Sequence, residues 1–137
     1  MDKFWSFAGL AAILALLLVI KVPERPADND VNFDSLQAGC RYGQQPGVSV
    51  DYQGNGLRIT GSYYVKSPRQ DLNHSYIRTD ERIVLKMGAE KYEGNVTGCS
   101  GIVSYDARTG PLEEGNYLLV VKHKGKEVMR QVVGISR

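Results

Sequence analysis

Val48-Ser49-Val50-Asp51-Tyr52-Gln53-Gly54-Asn55-Gly56-Leu57-Arg58-Ile59-Thr60-Gly61-Ser62-Tyr63-Tyr64-Val65 is the stretch that decides the fold. Val48, Val50 and Tyr52 alternate with polar residues, and Leu57, Ile59, Gly61, Tyr63 and Val65 alternate with Arg58, Thr60, Ser62, Tyr64 and Lys66. A period of two puts one set of side chains on a buried face and the other in solvent, which is the pattern of half-buried strands. The Asn55-Gly56 pair between the runs is a strong hairpin signal. Gly61, inside the second strand, marks a bulge or a close backbone approach.

The same alternation returns downstream. Ile83, Leu85 and Met87 share a face of Arg82 to Met87, shorter strand segments follow at Lys91 to Val96 and Gly101 to Tyr105, and Tyr117 to Lys124 pairs with Lys126 to Ile135 around Gly125. About seven strands at this spacing predict an all-β antiparallel sandwich. Residues 67–81 are polar and lack either periodicity, so they are expected to form a long loop. Loops of that length are often contact surfaces; Leu72, Tyr76 and Ile77 are its candidate anchors. Asp106 to Gly110 is expected to be a turn.

Outside this region the chain changes character. Phe4 to Ile20 is an apolar run with only Ser6 and Gly9 as mild exceptions. Seventeen residues at about 1.5 Å each give a helix of about 26 Å, at the short end of what crosses a hydrocarbon core of about 30 Å. No small-x-small cleavage site closes the run, so an uncleaved signal anchor is expected over a cleaved signal. Leu36-Gln37-Ala38-Gly39-Cys40 superficially resembles a lipoprotein site, but Gln37 stands where an aliphatic residue belongs. Ala8, Ala12 and Ala15 form a small-residue stripe, which is either a packing face for another helix or ordinary anchor composition. The expected organisation is an anchor over 1–21, a linker over 22–38 containing Pro23 and Pro26, and a β domain over 39–137.

Cys40 and Cys99 are the two cysteines of a chain that reads as exported, which predicts one disulfide. The same argument places the N-terminus in the cytoplasm and the domain outside a single-pass inner membrane. Beyond residue 20, sixteen Lys and Arg face fourteen Asp and Glu, a balance that creates no field for nucleic acid. The basic end of the chain, with Lys122, Lys124 and Lys126, is either a solvated strand face or a binding patch.

His74 and His123 each stand alone in sequence, and the expectation for both is ordinary exposed histidine. No CxxC, zinc spacing, calcium loop or phosphate-cradling glycine pattern is present, so no cofactor or metal is implied. Among the tyrosines, Tyr63 belongs to the apolar face while Tyr64 points the other way and is the surface candidate.

Leu112-Glu113-Glu114-Gly115-Asn116-Tyr117, directly before a strand, resembles the tyrosine corner of immunoglobulin-like and fibronectin type III-like sandwiches. The resemblance implies that Tyr117 bonds back to the backbone just upstream and that the last hairpin is the sixth and seventh strands. It carries no function. Taken together, the expectation is a non-enzymatic, membrane-anchored accessory or structural subunit of an envelope complex, its partners being other membrane or envelope proteins. The alternative is an independent module for glycan, peptide or cell-wall polymer, using Tyr64, Tyr76 and the basic strands. A third reading, a hydrolase using His74 and His123, is the least supported.

Overall fold

The computed structural model describes residues 31–91 and 98–136. Eight strands fill this region: β1 Val31–Cys40, β2 Gly47–Gln53, β3 Gly56–Val65, β4 Gln70–Arg78, β5 Arg82–Lys91, β6 Gly101–Thr109, β7 Gly115–His123 and β8 Lys126–Ile135. They make two four-stranded sheets, ordered β1-β6-β3-β2 and β4-β5-β7-β8. The apolar sets of both sheets meet in one core that includes Leu57 and Ile59 of β3, Ile83 and Leu85 of β5, Val103 of β6, and Leu119 and Val121 of β7.

The founding hairpin is β2–β3, with Val48 opposite Gly61 and Val50 opposite Ile59. Its turn sits one residue earlier than the Asn-Gly signal implies. Gln53 and Gly56 close the loop, and Gly54 has φ +59. Glycine at the first central position is the type II′ solution, whose twist matches the flanking strands. The last hairpin turns at Lys124-Gly125, where both residues have positive φ, the type I′ solution.

Four expectations need correction. Residues 67–81 are not one long loop, because Gln70–Arg78 is strand β4, paired antiparallel with β5. Leu72, His74 and Tyr76 do alternate, but a histidine in the middle of the set hides the period. Residues 31–38 of the expected linker belong to β1, which pairs with β6 from Val31 opposite Thr109 onward. Asp106 to Thr109 continues β6 rather than turning. The sheets are also not antiparallel throughout, since β5 and β7 run parallel. The chain leaves the second sheet after β5, runs back through the first sheet as β6, and re-enters as β7 in the direction of β5. The expected anchor over 1–21, with Ala8, Ala12 and Ala15, lies outside the described residues. So do residues 22–30 and most of the strand expected at 91–96. Among the described residues no helix is long and apolar enough to cross a membrane.

Two sequence features take the form expected of them. Cys40 and Cys99 are disulfide-bonded, with Cα atoms 5.7 Å apart. Tyr117 is buried, and its hydroxyl donates to the Glu113 carbonyl at 2.9 Å, a bond back to the backbone just upstream.

Candidate interaction face

The outward faces of the two sheets differ in kind. On the first sheet, charges satisfy one another. Arg58 donates two hydrogen bonds to Asp106, at 3.0 and 2.5 Å, and Arg108 pairs with Asp34 at 2.6 Å. Hydrogen bonding from Arg58 lowers the Asp106 pKa and raises that of Arg58 itself. Ser49 and Thr60 bond across strands at 2.6 Å. This is a solvated face whose principal charges pair with one another.

The second sheet presents aliphatic side chains to solvent. Cross-strand register aligns Ile77, Val84, Val120 and Arg130 in one row and Arg82, Leu118 and Val132 in the next. A third row reads Ser75, Lys86, Lys122 and Glu127. All stand on the face opposite the core set, because successive strand residues alternate. Ile77 is 47% exposed and Val132 65% exposed, while Val120, central in the face, is buried. The result is an aliphatic stripe crossing four strands with cations on both flanks. Arg130 pairs with Glu127 at 2.6 Å; among the described residues no carboxylate pairs with Arg82, Lys86 or Lys122. Exposed aliphatic side chains at the two edges of the sheet, with half-buried and buried ones between them and cations beside them, make this the candidate interaction face.

The remaining sequence candidates fall in several places. Ile77 and Lys122 belong to this face. Lys126 is exposed at its end, and Lys124 sits in the β7–β8 turn with its amine 3.5 Å from the Tyr64 carbonyl. Leu72 is half-buried against the core. Tyr76 is not a surface residue: it is buried at 4% exposure, because strand β4 turns it inward. Tyr64 lies on the opposite, first-sheet face, half-buried beneath Arg41, whose guanidinium is 3.9 Å above its ring. Val84, Leu118, Val120 and Val132 were not legible as face residues. Ile83-Val84-Leu85 and Leu118 to Val121 are unbroken apolar runs, and such runs imply a strand covered on both sides. That was the available signal.

His123 corrects another expectation. It is 7% exposed, not solvated, and its Nε2 lies 2.6 Å from the Tyr105 hydroxyl. Tyr63 packs beside it, ring centroids 4.9 Å apart, and donates its own hydroxyl to the Gly88 carbonyl at 2.9 Å. Burial pushes the His123 pKa down to about 4 and that of Tyr63 up to about 12, and burial also raises Tyr105. All three groups are therefore neutral at pH 7, tying β3, β5, β6 and β7 together. His74, by contrast, is exposed and meets Phe33 edge-on at 4.5 Å, joining the β1 and β4 edges.

The His123 shift has a definite consequence for stability. The unfolded chain binds a proton near the ordinary value of 6.5, whereas the folded chain binds it only near 4. Between these values the unfolded state holds more protons, so stability is complete above about pH 6.5 and falls as pH drops toward 4. The expected loss is on the order of 2 kcal/mol. Urea midpoints at pH 7 and 4.5 check it: His123→Gln should flatten the difference, and an unchanged pH slope in that variant would refute the assignment.

Among the described residues, no cluster of three His, Cys, Asp or Glu side chains is placed to hold a metal ion. No family model, no curated protein and no solved structure matches this chain.

Proposed function

We propose that the protein is a non-enzymatic, membrane-anchored accessory or structural subunit of an envelope complex, held in a single-pass inner membrane with its β domain outside. The observation that carries this reading is the outer face of the β4-β5-β7-β8 sheet. Its aliphatic stripe gives a partner apolar area, and Arg82, Lys86 and Lys122 select one whose contact surface is apolar and bordered by carboxylates. The apolar run Phe4 to Ile20, and the disulfide with its implied oxidising compartment, support the anchored, extracytoplasmic placement. The immunoglobulin-like character rests on the Tyr117 corner. The parallel β5–β7 pair is where the chain departs from that pattern.

The expected result is that full-length protein, extracted from its native membrane in mild detergent, elutes in an assembly larger than the monomer. Val132→Asp combined with Ile77→Asp should release it as a monomer with little change in thermal midpoint, because both side chains are already exposed and neither fills the core. Strictly monomeric wild-type protein under the same extraction would count against the proposal.

A further inference from the structure

A second, separate site lies on the other sheet beside the disulfide. A groove of about 320 Å³ opens there, lined by Gln37, Gly39, Tyr42, Gln44, Ile102 and Ser104 among others. Gln37 faces Ser104 and Gly39 faces Ile102 across the β1–β6 ladder, so the floor is regular sheet. The far wall is the segment 41–46, which has no ladder of its own.

That segment is held by restraints other than sheet pairing. Cys40 is bonded to Cys99, and the Arg41 amide donates to the Ser100 carbonyl at 2.8 Å. The Arg41 guanidinium stacks on Tyr64, and the Tyr64 hydroxyl donates to the Gln44 carbonyl at 2.9 Å. Ser62 donates to the Gln45 carbonyl at 3.3 Å. Fixed in this way, the segment projects Tyr42 into solvent at 85% exposure. An ordered loop that offers an aromatic ring to water while burying little of itself is preorganised for contact.

The lining defines the ligand class. It holds no acidic or basic side chain, which gives an anion or a cation no counter-charge. Its polar side-chain groups are two amides and the hydroxyls of Ser104 and Tyr42, donors and acceptors suited to neutral hydroxyl groups. Among the described residues, the Gln37 and Gln44 side-chain amides have no hydrogen-bond partner. Tyr42 adds a flat apolar face of the kind that packs on a pyranose ring. A Cβ placed on Gly39 would meet nothing within 4 Å, so the floor there is open space that a larger side chain would occupy. From this arrangement we infer that the groove is a subsite for a neutral saccharide, recognised by Tyr42 stacking and by the Gln37, Gln44 and Ser104 polar groups. An added peptide strand would instead follow the β1 edge, not the outward face of the sheet.

The test uses full-length protein in detergent micelles, titrated separately with chitotriose, cellotriose and maltotriose while side-chain amide resonances and binding heat are followed. At least one trisaccharide should shift the Gln37 and Gln44 amides. Tyr42→Ala should weaken that binding by about tenfold, Gly39→Val should abolish it by filling the floor, and Tyr52→Ala, at an exposed tyrosine outside the groove, should leave it unchanged. If Gly39→Val fails to fold, the Tyr42→Ala loss and the amide shifts still decide. No binding by any of the three saccharides, or binding indifferent to Tyr42→Ala, overturns the inference. Because no step depends on the second-sheet face or on assembly, failure here and failure of the subunit proposal are separately readable.

Discussion

Replacing Cys40 and Cys99 with alanine is expected to lower the unfolding free energy by about 4 kcal/mol, because the bridge closes a large loop in the unfolded chain. The two residues are 59 apart in sequence, so all of β2 to β5 lies within that loop. The bridge also joins the end of β1 to the segment entering β6, its neighbour in the sheet. For a domain whose total stability is on the order of 5–15 kcal/mol, such a loss is a large fraction. Urea unfolding of the double variant against wild type measures it, and reduction of the wild type should reproduce the shift. A loss below about 1 kcal/mol would mean that sheet pairing alone fixes β1 and that the bridge contributes little.

Gly61→Ala carries the second large effect. A Cβ at this position would collide with the hydroxyl and ring of Tyr105. That ring has little freedom to retreat, since it is buried, bonded to His123 and packed near Tyr63. Relief must come either from expelling the Tyr105 side chain, which strands His123 without its partner, or from spreading β3 away from β6. Overpacking of this kind costs about 1–3 kcal/mol, and an unpaired buried polar group adds about 1–3 kcal/mol. Thermal unfolding checks the sum. Combining Gly61→Ala with Tyr105→Phe, which removes the hydroxyl, should cost less than the two single changes added together. Strict additivity would show that the collision is not with that hydroxyl.

These two sites show what kind of information the sequence carried. Cys40 and Cys99 were readable because an even cysteine count in a chain that reads as exported has few other uses. Gly61 was readable as a close approach because a glycine interrupting a clear strand pattern needs a backbone reason; the colliding side chain, forty-four positions away, was not. Strand β4 was missed because His74 occupies an inward-parity position in an edge strand, where an exposed ring against Phe33 takes the place of an aliphatic residue. Strand β1 was missed because Pro23, Pro26 and the alternating charges of the preceding segment colour the reading of Val31 to Ala38. The Lys122-His123-Lys124 context concealed a buried histidine, although strict alternation from Tyr117 through Leu119 and Val121 points His123 into the core.

The interaction face was legible only in fragments. Ile77 and Lys122 were both picked out, but from separate considerations, a supposed loop and a basic terminal segment. Their juxtaposition depends on β5 lying between β4 and β7, and on the parallel pairing of β5 with β7, neither of which local patterning encodes. Once that order is known, the unbroken apolar runs of β5 and β7 acquire a meaning: one face enters the core, and the other forms the outer face proposed as the docking surface.

Site-specific photo-crosslinking in the native membrane tests that claim most directly. A crosslinking side chain at Val132, in the aliphatic stripe, should yield a discrete adduct larger than the chain itself, and the same group at Thr60, on the charge-paired face of the other sheet, should yield none. Equal adducts at the two positions, or adducts at Thr60 alone, would contradict the assignment of the β4-β5-β7-β8 face as the docking surface.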